Sequence, residues 1–277
     1  MKTVTIVALT AIMAGCVPWN SPESYHKYTS LEGALRNPAE VRYLSLFNEG
    51  LDQFPYELGR FPNLVKLSLR RNPIKTLPPA IGELTALVWL DLGETGIESI
   101  PDEIGSLENL RYLWLNHNEI DSLPESISGL KHLRYLNLDG NRLKTVTGEA
   151  GSLQELRWLR LNGNSITEVS SAAGGLKKLE RLYLAENNLS GLPPEIGGLK
   201  SLRQLDLSGN RLESVPPGVF ELSRLERLDL DRNRITVLPG ALEQLSSLKW
   251  LIVQENKIPA EEIRKAKELL PDCQIVY

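Results

Sequence analysis

The residues best suited to catalysis or metal binding are few in this chain and widely spaced. There are three histidines, His26, His117 and His132, and two cysteines, Cys16 and Cys273. Two cysteines this far apart indicate neither a disulfide framework nor a zinc site. No serine or cysteine stands with an acidic residue in a pattern that would converge on a histidine for nucleophilic catalysis. We therefore expect a protein that is not an enzyme and that binds no metal and no cofactor.

Cys16 is the one residue whose surroundings predict a covalent modification. Lys2 precedes an apolar segment, Val4 to Met13, about half as long as the ~20 residues that span a bilayer. The small residues Ala14 and Gly15 then precede Cys16. This segment resembles the lipobox of bacterial lipoproteins, with methionine where leucine is more usual. The resemblance implies cleavage before Cys16 and lipidation of that residue. An ordinary secretory signal and a coincidental apolar start are the alternatives.

The same resemblance predicts a signal peptide at residues 1–15 and a tether at residues 16–28, which contains several Pro, Asn and Ser residues. Val17 rather than aspartate follows the cysteine. In lipoproteins of the enterobacterial type, this favours the outer membrane over the inner one. We expect a lipid-anchored protein of the bacterial cell envelope, with a secreted protein as the alternative.

Aromatic side chains offer a second kind of chemistry, the stacking of rings against a ligand. Trp89, Tyr112, Tyr135 and Trp158 follow one another at intervals of 23 residues. Such a regular interval indicates a structural unit that recurs and presents each ring at the same place. The arrangement of these rings therefore depends on the fold of the repeat.

An apolar residue recurs every 23 positions through ten repeats without an insertion. One unit, residues 110–130, reads LRYLWLNHNEIDSLPESISGL. Its opening, L-x-x-L-x-L-x-x-N, and its tail, L-P-x-x-I-x-x-L, resemble the 23-residue leucine-rich repeats of Ras-group-related and many bacterial surface proteins. The repeats begin at Val41, Leu64, Leu87, Leu110, Leu133, Leu156, Leu179, Leu202, Leu225 and Leu248.

The resemblance covers roughly residues 41–260 and implies an α/β leucine-rich-repeat solenoid. We expect a curved parallel sheet of about ten short strands on the concave face and irregular or short-helical convex arms, with repeats at residues 41–258. The spacing supports this fold, because Leu113 and Leu115 alternate inward while Tyr112 and Trp114 point outward. Asn118 stands at the following turn, where its side chain can bond to backbone groups that no ladder satisfies.

Both ends of the solenoid have features typical of caps. Residues 29–40 are expected to form a helical N-terminal cap, in which Thr29-Ser30-Leu31-Glu32 fits a capping box and Pro38 ends the helix. Residues 259–277 are expected to form a C-terminal cap, with Pro259 at the first helical position and a short strand at the end. With both caps present, we expect no appended catalytic domain.

The convex arms of the fifth and sixth repeats depart from the pattern. They have Thr147 and Ser170 where other repeats have proline, and small residues follow at 148–151 and 171–174. Sequence drift in a convex segment that tolerates substitutions explains this departure. The alternative is that these repeats form a hinge or contact a partner on the convex side.

The outward strand positions are the third, fifth and seventh places of each repeat, and they hold nine of the chain's 17 aromatic residues. Tryptophan and tyrosine are the usual anchors of binding surfaces, although ring stacking across a sheet can also be purely structural. We predict a partner-binding surface on the concave face. It comprises Tyr43, Phe47, Trp89, Tyr112, Trp114, Tyr135, Trp158 and Tyr183, and the ninth aromatic residue is Trp250.

A protein or peptide is the expected partner of this surface, in adhesion, host interaction or envelope scaffolding. Carbohydrate is the alternative, because tryptophan and tyrosine also stack on sugar rings; a passive spacer without a ligand is a third interpretation. Nucleic acid is not expected, since the net charge is −4 and no Lys/Arg cluster is present. We expect a monomer.

Toward its C-terminal end the predicted concave face becomes charged. Asp206, Asp229 and Asp231 could supply oxygen ligands to a calcium ion. Because Arg181 and Arg227 are close to them in the repeat pattern, paired surface charges are the preferred interpretation.

Overall fold

A long parallel sheet forms the concave face of the computed structural model, which describes residues 25–146, 148 and 150–277. The predicted signal peptide and Cys16 lie outside the described residues. All strands except β7 and β9 join this sheet in chain order. The strands are β1 (Lys27–Tyr28), β2 (Tyr43–Ser45), β3 (Lys66–Ser68), β4 (Trp89–Asp91), β5 (Tyr112–Trp114), β6 (Tyr135–Asn137), β7 (Thr145–Val146), β8 (Trp158–Arg160), β9 (Glu168–Val169), β10 (Arg181–Tyr183), β11 (Gln204–Asp206), β12 (Arg227–Asp229), β13 (Trp250–Ile252) and β14 (Gln274–Val276).

Ten of these strands, β2 to β6, β8 and β10 to β13, occupy the same place in the ten repeats and confirm the predicted solenoid. Neighbouring strands pair with a fixed offset of 23 residues, so that Leu90 lies opposite Leu113 and Leu113 opposite Leu136. Each of these leucines is fully buried, because the period of two in a strand turns them away from the concave surface. The resulting leucine columns make one continuous core along the molecule.

The convex side consists of short 3₁₀ helices, which agrees with the expected short-helical arms. Most span five residues and bury one apolar side chain, as Ile104 and Ile127 do in the repeats that contain them. The 3₁₀ helices are Pro38–Glu40, Tyr56–Arg60, Pro79–Glu83, Asp102–Ser106, Glu125–Gly129, Ala150–Ser152, Ser171–Gly175, Pro194–Gly198, Pro217–Glu221 and Gly240–Gln244.

Adjacent convex turns approach each other so closely that glycine is required at their contacts. A Cβ atom added to Gly105 would lie 2.3 Å from the carbonyl oxygen of Ser126 in the next repeat. A Cβ added to Gly174 would lie 2.1 Å from the carbonyl oxygen of Glu195. Both neighbours are backbone atoms, which cannot move aside as a flexible side chain could.

Gly105→Ala is therefore expected to destabilise the protein by about 2–3 kcal/mol, the upper part of the range for overpacking. Gly191→Ala is the matched control, since a Cβ there would meet nothing within 4 Å. Equilibrium urea unfolding followed by circular dichroism measures both changes. Equal stabilities of the two variants would show that the convex turns can separate without cost.

In eight of the ten repeats an asparagine follows the strand and bonds to backbone groups, as the sequence predicts; Glu49 and Thr95 take this place in the first and third repeats. Asn118 donates from Nδ2 to the carbonyl oxygens of Leu92, at 2.8 Å, and Leu115, at 2.9 Å. Its Oδ1 accepts from the N–H groups of Thr95, at 3.0 Å, and Ile97, at 3.1 Å. Leu92, Thr95 and Ile97 belong to the preceding repeat. Each asparagine of this type therefore joins its own turn to the turn before it.

The residue before this place, which holds Glu49 in the first repeat, Thr95 in the third and asparagine in the other eight, has a left-handed backbone in all ten repeats. Only three of the ten are glycine, and the others are L-residues in a conformation that costs them roughly 1–2 kcal/mol each. This geometry lets the chain leave the strand and still place the asparagine inward. The ten residues are Asn48, Arg71, Glu94, His117, Gly140, Gly163, Glu186, Gly209, Arg232 and Glu255.

The N-terminal end differs from the sequence-based expectation in three details. Lys27 and Tyr28 fall in the segment expected to be a tether, yet they form β1 and pair with β2. The helix α1 spans Leu31–Ala34, and Ser30 rather than Thr29 caps it by accepting from the N–H of Gly33. Pro38 does not end this helix but begins the 3₁₀ helix that follows.

The C-terminal end has the expected helix and strand. The helix α2 spans Ala260–Leu269, with Pro259 as its N-cap rather than its first helical residue. Ile263 and Ala266 on its inner face are buried against the last repeat. Strand β14 then pairs with β13 and completes the sheet at this end.

The fifth and sixth repeats form a second parallel sheet on the convex side, in which β7 pairs with β9. Proline at the next place in other repeats has no N–H and disfavours strand pairing there. Ser170, which replaces it in the sixth repeat, instead caps the following 3₁₀ helix by accepting from the N–H of Ala172. The departure noted in the sequence therefore corresponds to a local change of secondary structure.

Candidate functional site

Five aromatic side chains form a continuous series of ring contacts on the concave face. Trp114 lies at its centre, with its ring centroid 4.9 Å from that of Trp89, 4.9 Å from that of Tyr135 and 6.2 Å from that of Tyr112. The ring of Tyr135 in turn lies 5.8 Å from that of Trp158. We call these five residues, contributed by strands β4, β5, β6 and β8, the aromatic ladder.

The structure changes the expected path of this ladder. The sequence places Trp89, Tyr112, Tyr135 and Trp158 one above another at the third place of successive repeats. In the structure, the contact from Trp89 to Tyr135 runs through Trp114, which occupies the fifth place of its repeat. The indole ring of Trp114 is large enough to contact rings on both neighbouring strands. A stack made only of third-place residues does not include this ring.

The members of the ladder differ in how much surface they offer. Tyr135 is only 6% exposed, and this burial raises the pKa of its phenol. It therefore supports the neighbouring rings rather than presenting a surface of its own. Trp89, Tyr112, Trp114 and Trp158 are half-buried, held by their neighbours and open to solvent on one side.

Cationic and polar groups fix the C-terminal end of the ladder. The Arg181 guanidinium lies 4.1 Å from the ring centroid of Trp158, within the range of a cation–π contact. Arg160 similarly lies 5.0 Å from the ring of Tyr183 and pairs with Asp139 at 2.6 Å. The Tyr183 hydroxyl is bonded to Oε1 of Gln204 at 2.9 Å. Tyr183 is thus held by polar partners and does not extend the ladder.

The remaining predicted residues, Tyr43 and Phe47, lie apart from the ladder. Repeat two, which separates them from Trp89, has no aromatic residue at its outward places. The ring of Tyr43 is approached by the ammonium groups of Lys27, at 5.6 Å, and Lys66, at 5.3 Å. The eight predicted residues are therefore not one surface: five form the ladder, two lie toward the N-terminus and Tyr183 lies beyond the C-terminal end.

At the acidic end of the concave face, two aspartates pair with arginines, and the third, Asp206, accepts from the N–H and the hydroxyl of Ser208. Asp229 accepts from Arg227 at 3.1 Å, and Asp231 lies 3.6 Å from Arg232. Within the described ranges, no group of three or more His, Cys, Asp or Glu side chains is arranged to hold a metal ion. Burial, with a smaller contribution from Asp206, raises the pKa of Asp229 to about 6.

The raised pKa of Asp229 predicts a pH-dependent stability. The Asp229 carboxyl binds its proton more tightly in the folded state than in the unfolded chain, where an aspartate has a pKa of about 3.9. Proton binding by Asp229 therefore stabilises the folded state fully below about pH 4, and this contribution to the free energy of unfolding is lost as the pH rises through about 6. We expect Asp229→Asn, which still accepts from the Asp231 N–H, to be more stable than the wild type by about 1–2 kcal/mol at pH 8 and equal to it at pH 4.

Urea unfolding at both pH values measures this difference, with the exposed Asp52→Asn as the control. If Asp229→Asn were more stable than the wild type by the same free energy at pH 4 and pH 8, the raised pKa of Asp229 would not be the cause of the difference.

The residues first considered for catalysis do not come together. His117 is exposed at the left-handed position of its turn, and Cys273 is half-buried in the C-terminal cap. Burial raises the pKa of the Cys273 thiol to about 11, so little of it is the reactive thiolate at neutral pH. Among the described residues, no helix has the length and apolar character needed to cross a membrane.

A stack of 23-residue units that exposes one long concave sheet defines the class of this molecule, a tandem-repeat solenoid. The chain belongs to the leucine-rich-repeat family. The family model described as leucine rich repeat matches residues 62–120, 85–143, 154–212 and 200–258. Proteins of this fold are typically protein- or peptide-binding modules, and they are generally not catalytic.

Solved structures support the same fold. An internalin from Listeria monocytogenes, inlF, superposes with a TM-score of 0.78 at 23% identity, over 90% of this chain and 71% of that one. The Listeria internalin C2 has a TM-score of 0.60 at 27% identity, over 72% of this chain and 84% of that one. Among proteins of curated function, none matches the sequence.

A plant receptor gives a third comparison. The Arabidopsis receptor kinase HAESA, solved in complex with the peptide hormone IDA and the co-receptor SERK1, has a TM-score of 0.68 at 31% identity. The match covers 78% of this chain but only 39% of the receptor. This chain is therefore similar to a part of that protein.

Proposed function

We propose that this protein binds a protein or peptide partner on its concave face, with the aromatic ladder as the centre of the binding surface. The proposal depends mainly on one observation: the ladder is a contiguous set of rings, fixed by mutual contact and open to solvent on one side. Rings held in this way lose little conformational freedom when a partner docks, so their contacts contribute more to affinity.

The position of the ladder agrees with this role. It occupies the third to sixth of ten repeats, between the polar outward residues of the second repeat and Arg181 of the seventh. Trp250, the tenth repeat's concave aromatic residue, is 41% exposed and makes no ring contact within the described part of the chain. The receptor kinase HAESA, which has this fold, was solved in complex with the peptide hormone IDA, and this supports a peptide as the occupant.

The proposal is tested by affinity capture with the full chain purified in detergent. A second capture uses a variant in which Trp89, Trp114 and Trp158 are replaced by Ala and whose circular dichroism matches the wild type. Envelope extract and host or matrix extract serve as the prey, read by mass spectrometry. A protein retained by the wild type and lost by the variant supports the proposal. Identical captures contradict it, and a saturable, ladder-dependent signal on a glycan array would favour the carbohydrate alternative.

We further propose that the protein is a lipoprotein of the bacterial cell envelope, anchored through Cys16. The support is the sequence Met13-Ala14-Gly15-Cys16 at the end of a short apolar segment. Exposure at the outer surface would make the protein suited to adhesion or host interaction, and a periplasmic location would make it suited to scaffolding.

Cys16→Ser is expected to abolish incorporation of labelled fatty acid and to release the protein from the membrane fraction after the signal is processed. Stable membrane attachment depends on the lipid anchor, so a protein that carries no acyl chain should leave the membrane fraction almost completely. Fatty-acid labelling followed by membrane fractionation measures both effects, with Cys273→Ser as the control. A Cys16→Ser variant that still takes up label would exclude the anchor.

A further inference from the structure

A row of arginines borders the aromatic ladder along the edge of the sheet where the strands begin. Arg111, Arg134 and Arg157 occupy the second place of the fourth, fifth and sixth repeats, directly before Tyr112, Tyr135 and Trp158. Each is therefore about one strand spacing, 4.8 Å, from the next. Arg111 and Arg157 are exposed, and Arg134 is half-buried.

Elsewhere in the solenoid, residues at this same place form ion pairs between neighbouring repeats. Arg157 pairs with Glu180 at 3.0 Å, and Lys249 pairs with Glu226 at 3.0 Å. Arg203 also bonds to Glu226. Neighbouring side chains at the second place are thus within ion-pair reach, and opposite charges are arranged there in the sixth to tenth repeats.

Arg111 and Arg134 break this arrangement. They lie next to each other with like charge, which is unfavourable for directly opposed residues in a sheet. In the portion of the chain that the structure describes, neither makes an ion pair. Arg134 helps to lower the pKa of Glu155, but the hydrogen bond to that carboxylate comes from Lys178.

Two of the three acidic groups on the opposite side of the ladder have arginine partners, and the third, Asp91, accepts from the N–H of Gly93 and from the Ser68 hydroxyl. Asp139 receives hydrogen bonds from Arg160 and from the N–H of Asn162. Glu94 is bonded to both Arg70 and Arg71. At the edge where the strands begin, the solvent-accessible charge without an ion-pair partner is therefore positive, although the chain as a whole has a net charge of −4.

We propose that the occupant of the ladder is an extended acidic peptide segment, whose carboxylates pair with Arg111 and Arg134 while its apolar side chains pack on the rings. This inference rests on the proposed function and names the chemistry of its partner. In an extended segment, residues two apart on one side lie about 6.6 Å from each other, a distance that two arginine side chains can match. Arginine is suited to this pairing because its guanidinium group binds a carboxylate in a bidentate way.

Selection of random displayed peptides on the full chain tests the inference without knowledge of the natural partner. Enriched peptides are synthesised, and their affinities are measured by fluorescence anisotropy. The variants are Arg111→Gln/Arg134→Gln and the control Arg42→Gln/Arg203→Gln, which removes the same charge from the same place in two other repeats. Trp114→Ala reports separately on the ladder.

We expect the enriched peptides to contain an excess of Asp and Glu. Their affinity should fall about tenfold with Arg111→Gln/Arg134→Gln, and by less than about twofold with the control. Added salt should reduce the affinity of the wild type more than that of this variant. Peptides that depend on Trp114 but show no acidic excess, or that tolerate loss of both arginines, would overturn the inference and leave the proposed function intact. If no peptide is enriched, or none depends on Trp114, both fail.

Discussion

Replacing Trp114 with Ala is expected to weaken partner binding about 100-fold. This residue contacts three other members of the ladder, and its removal separates Trp89 from Tyr135. Central, well-packed tryptophans are the residues whose truncation costs about 2–4 kcal/mol at protein interfaces, and each tenfold change in affinity corresponds to about 1.4 kcal/mol. Isothermal titration of the captured partner, or of a selected peptide, measures the loss.

Trp250→Ala is the matched control for this experiment. It removes the same side chain from the same concave face, at a position outside the ladder. Its effect on affinity should be less than about threefold. Because each aromatic pair contributes about 0.5–1.5 kcal/mol, Trp114→Ala should also lower stability slightly, and thermal unfolding of both variants separates that effect from binding. Equal losses of affinity in the two variants would place the binding surface elsewhere.

Replacing Asn118 with Ala is expected to destabilise the protein by about 3–4 kcal/mol. The side chain satisfies two buried carbonyl groups and two buried N–H groups, and it also accepts from the Thr95 hydroxyl at 2.9 Å. A buried group left without a partner costs about 1–3 kcal/mol, and water entering the small space would recover part of this loss.

The exposed Asn109 provides the control for Asn118. It donates a single hydrogen bond, to the carbonyl oxygen of Thr85 at 3.0 Å. Asn109→Ala should cost no more than about 1 kcal/mol. Urea unfolding by circular dichroism, with hydrogen exchange to locate the loss, compares the two. Enhanced exchange confined to the third and fourth repeats would confirm the local origin, and a uniform change along the chain would contradict it.

The sequence predicts the solenoid well because its 23-residue period reflects both burial and hydrogen bonding. Inward leucines are fixed by the alternation in each strand, and Asn118 with its equivalents is fixed by the unsatisfied backbone of each turn. These requirements are local and recur in each repeat. The residue type at a single position is therefore enough to predict where the inward leucines and the turn asparagines lie.

Other features depend on contacts that the period does not encode. The left-handed residue at the end of each strand turn can be His117, Glu94 or Arg71, which are not typical of that conformation. Glycine at Gly140 and Gly163, in the same place, is the signal that could have indicated it. The second sheet of the convex side likewise follows from the loss of proline in two adjacent repeats rather than from any one residue.

The candidate site could be predicted only in part. Concave placement of the aromatic residues follows from the outward strand positions. Which rings touch depends on side-chain directions across strands, and these make Trp114 the centre while Tyr135 becomes a support. The separation of Tyr43 and Phe47 from the ladder follows from the polar second repeat. The unpaired arginines emerge only when the ion pairs of the other repeats are known.

The asparagine bonds also constrain how a molecule of this kind can change its length in evolution. Asn141 donates to the carbonyl oxygen of Leu115, 26 residues before it, and accepts from the N–H of Ile120, 21 residues before it. A gain or loss of a few residues would shift an asparagine away from both groups, whereas duplication or deletion of a whole unit keeps every bond. The number of strands in the concave sheet, and with it the length of the surface available to a partner, should therefore change in evolution only by complete repeats.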